Sequence, residues 1–209
     1  MLELIIFQLI ILLFSVMIHE VSHGYVAEHL GDPTARLAGR LTFNPLKHLD
    51  PFGSFLLPLL LLFTTGFAFG WAKPVPYNPY NLKNPVSGGA KIAVAGPISN
   101  LAVALFFGIA MRVFVAAGLL SGFLAVLFSI IVYLNILLAI FNLVPIPPLD
   151  GSKVLFALLP KTESTLQFFT MLERYGIFLV FLFVFFGFDL ILPIIDLLFV
   201  LFTGQRFMI

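Results

Sequence analysis

Residues 2–24, LELIIFQLIILLFSVMIHEVSHG, join an apolar run, Leu2 to Ile18, to the polar group His19-Glu20-Val21-Ser22-His23. At 1.5 Å per residue, one helix over the run crosses most of a bilayer. Two histidines four apart on a helix share a face and can hold one zinc ion, and the glutamate between them can act as general base toward an attacking water. Placed at 100° steps, Gln8, Ser15, His19, Ser22 and His23 fall within an arc of about 100°, while Ile6, Ile10, Leu13 and Met17 lie elsewhere. Interhelical hydrogen bonding accounts for Gln8 and Ser15. Two imidazoles and a carboxylate within five residues exceed that need, and their cost inside lipid marks them as functional.

The rest of the composition agrees with a membrane protein. The chain has 209 residues, 61% hydrophobic and 10% charged, with 26 phenylalanines and a mean hydropathy of +1.12. No soluble domain of this size buries so much apolar surface. The length suits a single membrane-embedded domain, residues 1–209, with a core over 1–160 and a C-terminal hydrophobic segment over 161–209. Cysteine is absent, so any metal must be held by His, Asp or Glu. The net charge of +1 argues against a nucleic-acid partner. The first apolar run has no basic leader and no small-residue cleavage site, so it is expected to be retained.

Along the chain, Gly31-Asp32-Pro33 ends the first helix. Residues 34–50 form a polar region with Arg36, Arg40, Lys47, His48 and Asp50, and short strands are expected around Leu37 to Phe43. The apolar stretch Phe52 to Phe67 is short for a crossing. It suits a re-entrant hairpin, or a short helix followed by a strand over Phe67 to Val75. Either would border the active site, because non-helical backbone at membrane depth survives only beside protein or water. A strand edge there could pair with an extended substrate. Residues 88–119 carry small side chains, among them Gly88, Gly89, Ala93 and Gly96, that let helices approach closely. Phe123 to Val144 is a further span with Asn135 and Asn142 on one face. The prolines at 145, 147 and 148 break it just before Asp150. Residues 151–160 form a short helix, 161–175 are polar, and 176–204 are apolar, either one span with an interfacial helix or a hairpin. Basic residues from Arg36 to Lys91 flank the His-Glu end, which places that end and Asp150 on the cytoplasmic side.

A catalytic zinc takes three protein ligands, so the two histidines need a third. His29 would stand about 9 Å beyond His23 on a continuous helix, out of reach of the same ion. Glu3 is at the wrong end and Glu28 too far along the helix. Asp32, Asp50, Glu163 and Glu173 lie in polar stretches where solvation explains them. Asp189 and Asp196 suit caps or an interface. Asp150 follows a broken helix on the histidines' side and is the expected ligand.

His19-Glu20-x-x-His23, Gly96-Pro97-x-x-Asn100 and Asn142-x-x-Pro145-x-x-x-x-Asp150-Gly151, in that order within hydrophobic spans, resemble the site-2 protease family of intramembrane zinc metalloproteases. The resemblance implies one Zn2+ per chain held by His19, His23 and Asp150, with Glu20 as base. It implies Asn142 and Asn100 as substrate-binding or oxyanion residues, Asn142 holding the peptide and Asn100 supporting the site. The implied fold is an all-α polytopic membrane protein, about five or six hydrophobic segments around a three-helix catalytic core, with a small re-entrant or β element near residues 35–76. The implied activity is hydrolysis of peptide bonds in or near transmembrane segments of membrane proteins, within the cytoplasmic membrane. The compact prokaryotic branch, without PDZ or CBS domains, fits best, which leaves room for a separate adaptor in substrate selection. A catalytically inactive membrane scaffold is the alternative. A metal transporter has no need of Glu20 and would show repeated halves. Arg112, His29 and His48 receive no role from the sequence.

Overall fold

The computed structural model describes residues 2–50, 53, 56 and 73–206. Seven α-helices lie among them: α1 Leu2–His29, α2 Thr34–Leu37, α3 Pro85–Ala116, α4 Gly122–Asn142, α5 Asp150–Leu158, α6 Glu163–Leu182 and α7 Leu192–Thr203. Among the described residues four stretches are long and apolar enough to cross a membrane: Glu3–His29, Pro85–Ala116, Gly122–Asn142 and Glu163–Leu190. The protein is an all-α, multi-pass membrane protein, as its composition requires.

Helix α3 is the axis of the bundle, packing against α1, α4, α5 and α7. Asn84 starts it, its side chain accepting the Ser87 amide, and Pro85 occupies the first turn, where the missing N–H costs nothing. The small side chains of its first half are buried: Gly96 lies against His19 of α1, while Gly88 and Gly89 lie against Leu82 and Tyr77 of the loop before α3. Toward its far end α3 meets α7, where Gly108 lies against the Phe202 backbone. The main core cluster gathers Ala104, Val132, Ile136, Val144, Ile191, Ile195 and Phe199 from α3, α4, α7 and the segments between.

On α1 the predicted polar face is turned into the protein. Ser15 is 3% and His19 5% exposed, whereas Ile6 and Ile10 are about half exposed, as lipid-facing positions should be. Met17, assigned to the other side, is also buried, because α1 is packed on more than one flank.

The stretch expected to hold strands around Leu37 to Phe43 contains none. Asp32 accepts the Thr34 amide and starts α2. Gly39, at φ +64°, then closes it: the Gly39 amide bonds Arg36 O and the Arg40 amide bonds Ala35 O, the pattern of a left-handed helix stop. Local turn chemistry therefore outweighs the β-branched and aromatic content here. Beyond it, Lys73 to Asn78 is extended without a strand partner among the described residues. The expected re-entrant segment, residues 52–67, and the first part of the Phe67 to Val75 strand fall largely outside the described residues.

The C-terminal stretch forms two helices, α6 and α7, joined by a break. The polar residues 163–175 form the first half of α6, capped by the Thr162 hydroxyl. Helix α6 then gives way to a wide turn, Phe183–Gly187, and a tight one, Phe188–Leu190, before α7 resumes. Phe183 lies beside Phe141 and Phe199 beside Tyr133, so the chain from the break through α7 runs along α4. Arg112 also gains a role: its guanidinium donates to Phe202 O (2.8 Å) and Leu201 O (2.5 Å), capping the C-terminal carbonyls of α7.

Candidate metal centre

The site lies where α1, α3 and the start of α5 meet. After α4 ends at Asn142, residues 143–149 turn tightly through the prolines, and α5 begins at Asp150. Gly151 sits against the Leu143 and Val144 carbonyls, a spacing no Cβ would fit. That close turn carries Asp150 back onto α1. Its carboxylate, in the first turn of α5, also faces the positive end of a helix dipole.

His19 Nε2 and His23 Nε2 each lie 3.1 Å from the same oxygen, Asp150 Oδ2. The two rings stand edge to face, centroids 4.6 Å apart. The three ligand atoms all lie within 4.8 Å of one another, and this is the group of His, Asp or Glu side chains among the described residues able to hold a metal ion. Burial alone would raise the Asp150 carboxyl. Hydrogen bonds from His19 and His23 outweigh it and hold that carboxyl well below the usual carboxylate range, so it is present as an anion.

Each imidazole is oriented from behind. His19 Nδ1 lies 2.6 Å from Asn100 Oδ1, and His23 Nδ1 lies 2.6 Å from the Ile92 carbonyl oxygen. The roles are fixed by the surrounding network. Asn100 Nδ2 donates to the Ser15 carbonyl (3.1 Å) and to Asn135 Oδ1 (2.9 Å). Asn135 Nδ2 in turn donates to Ser15 Oγ and to the Ile131 carbonyl (both 2.9 Å). Carbonyls only accept, so both amides have one consistent orientation and Asn100 presents oxygen to His19. Both histidines thereby carry a proton on Nδ1, and release of the Nε2 proton that each donates to Asp150 leaves a lone pair aimed at the shared point. That is the donor set a bound metal needs, and it is the observation by which these residues fit zinc.

The remaining sequence-predicted residues are placed as follows. Glu20, half-buried beside the two histidines, accepts the Val75 amide on Oε2 (2.8 Å). Asn100 is completely buried, with its oxygen on His19. Asn142, half-buried on the last turn of α4, donates to Leu138 O within its own helix (2.9 Å). His29 is exposed and outside the group.

Gly96, one of the small residues expected at close helix contacts, lets His19 approach α3, since a Cβ there would lie 2.5 Å from His19 Nε2. Other neighbours carry no signal in the sequence. Lys153, one turn beyond Asp150, brings Nζ to 3.8 Å from Asp150 Oδ1 and lies over the Tyr77 ring. The solvated reading of Asp32 is overturned. It is fully buried and accepts from Thr34 N (3.1 Å), Thr34 Oγ1 (2.5 Å), Asn78 N (2.6 Å) and Asn81 Nδ2 (2.7 Å).

Known metalloproteases resemble this chain. Residues 113–184 match the model of peptidase family M50. The chain is 42% identical over 190 residues to "Putative zinc metalloprotease YwhC" of Bacillus subtilis, covering 88% of this chain and 82% of that protein. The chain belongs to peptidase family M50, the site-2 protease family. It is also 32% identical over 159 residues to "Putative zinc metalloprotease Rip2" of Mycolicibacterium smegmatis, across 74% of this chain and 58% of that one. A match to "Putative zinc metalloprotease MJ0611" of Methanocaldococcus jannaschii is 40% identical over 100 residues, 46% of this chain and 50% of the relative. No solved structure matches. As an M50 member the protein is a metalloprotease, and its cofactor is zinc.

Proposed function

We propose that this M50 metalloprotease is an intramembrane endopeptidase, hydrolysing peptide bonds in or near the transmembrane segments of other membrane proteins. The observation that carries the reading is the convergence of His19 Nε2, His23 Nε2 and Asp150 Oδ2 on one point, inside a bundle of apolar helices and beside Glu20. These three side chains hold the zinc. When bound, zinc polarises a carbonyl and acidifies a water toward neutral pH. Glu20 takes the water's proton on its carboxylate and returns it to the leaving nitrogen. Its Oε2 is engaged by the Val75 amide, which leaves Oε1 to carry that proton. Asn142, at the mouth of the turn that delivers Asp150, is the residue that holds the substrate peptide.

A substrate helix must unwind locally before cleavage, because its carbonyls are bonded internally. The stretch from Phe67 to Pro76 is the proposed clamp. The His-Glu end carries the basic residues Arg36, Arg40, Lys47, Lys73, Lys83 and Lys91, which supports an orientation in the cytoplasmic membrane with the site toward the cytoplasm and a short path for water. Substrate selection, with or without an adaptor, is left to whatever presents a suitable helix.

The test is cleavage of a model transmembrane substrate by the purified protein in lipid. Glu20→Gln abolishes cleavage, with a fall of at least about 10³-fold, while zinc remains bound. Undiminished cleavage by that variant would remove Glu20 as the base. Absence of cleavage in both proteins, with zinc bound, would favour the scaffold reading.

A further inference from the structure

We infer that Arg40 is a positioning residue for catalysis, acting on Glu20 through the backbone of residues 73–75. The inference rests on the reading of Glu20 as the base. Arg40 lies in a polar stretch where a solvated cation would be ordinary, yet it is only 7% exposed. The left-handed stop at Gly39 turns it inward, away from the exposed Arg36, which pairs with Glu28.

Its guanidinium is occupied by carbonyls. Nη1 donates to Lys47 O, and Nη2 donates to Lys73 O (2.6 Å) and Pro74 O (3.3 Å). A second tie runs alongside: the Lys73 amide donates to His48 O (2.9 Å). His48, also buried, is itself held by a bond from Nε2 to Thr42 O (2.9 Å). The next amide along the extended chain, Val75 N–H, is the one that Glu20 Oε2 accepts. Pro74 and Pro76 have no amide to offer, so Val75 is the donor this segment can present there.

The segment is thus held at successive groups: Arg40 and His48 take Lys73 and Pro74, and Glu20 takes Val75. The Val75 side chain adds to the grip, buried against Gly24 on α1, where any Cβ would collide with Leu41 and Val75. An arginine fits this post better than a lysine, because its planar fork reaches carbonyls on both the 47 and the 73–74 backbones at once. Release of the segment would free the Glu20 carboxylate to leave its rotamer without touching either histidine. A displacement of about 1 Å in such a group costs on the order of 10²-fold in rate.

The experiment uses the full chain in lipid nanodiscs and compares wild type, Arg40→Ala, Arg40→Lys and Glu20→Gln. Three quantities are read: zinc per chain, amide hydrogen exchange across residues 73–80, and kcat and KM on a transmembrane substrate. Arg40→Ala is expected to speed exchange of the Val75 amide at least about 10-fold while α1 and α3 stay protected and zinc content is unchanged. Its kcat falls about 10- to 100-fold with KM within about two-fold, and Arg40→Lys recovers part of both changes. Wild-type exchange and kcat in Arg40→Ala would overturn the inference. So would loss of zinc together with α1 protection, which would make Arg40 a structural residue only, or a rise in KM at constant kcat, which would make the segment a substrate contact only. Should Glu20→Gln cleave normally while Arg40→Ala still frees the Val75 amide, the reading of the base fails and the backbone tie stands.

Discussion

Asn100 Oδ1 accepts from His19 Nδ1 at 2.6 Å, across 81 residues of sequence, and does so from a side chain with no exposed surface. The bond fixes which nitrogen of His19 faces the Asp150 carboxylate, and the Asn135 and Ser15 contacts fix Asn100 in turn. A ligand held this way has already given up its rotational freedom before a metal arrives.

Loss of that support is expected to weaken zinc binding without abolishing it. Asn100→Ala should lower zinc affinity about 10- to 100-fold, measured by competition with a chromogenic chelator. Unchanged affinity would mean that the bond orients His19 without consequence for the metal.

Gly96 makes a sharper prediction. A Cβ at this position would sit 2.5 Å from His19 Nε2, the atom that faces Asp150. Gly96→Ala must push the ring away or part α1 from α3, with a stability cost of about 1–3 kcal/mol. Zinc retained after dialysis should fall in parallel. Gly122→Ala, where nothing lies within 4 Å, is the control and should behave as wild type in both measurements.

Asp32 governs stability in acid. Burial alone would raise its carboxyl, but the hydrogen bonds from Thr34, Asn81 and Asn78 outweigh burial and hold it below the usual range. A lowered folded value stabilises the protein fully above the unfolded value of about 4, and the contribution is lost as pH falls through the lower folded value. Asp32→Asn turns an amide donor onto groups that already donate, so at pH 7 it should cost about 1–3 kcal/mol. The gap between variant and wild type, followed by thermal unfolding in detergent, should close below about pH 4. A gap that stays constant with pH would contradict the assignment.

Much of this architecture is legible in the chain because lipid imposes it. An apolar run of bilayer length has few alternatives to a helix, which is why α1, α3 and α4 stand where the pattern puts them. The return of Asp150 was visible in its proline-broken approach and in the end of the spans that it shares with the histidines. What escaped was polar residues that tertiary structure buries. Asp32, Arg40 and His48 occur in a hydrophilic stretch, and nothing local distinguishes a solvated side chain from one gripping backbone 30 or more residues away, as Arg40 grips Lys73. The break between α6 and α7 was equally hidden, because Phe183–Gly187 is apolar throughout and carries no proline.

The central claim is that one zinc is held jointly by His19, His23 and Asp150. The most direct measurement is zinc per chain, by elemental analysis of purified, dialysed protein, for wild type and for His19→Ala, His23→Ala and Asp150→Ala. The account predicts about one zinc per chain in wild type and loss in each variant while the helical circular dichroism is retained. Asp150→Ala binding zinc as tightly as wild type would contradict it.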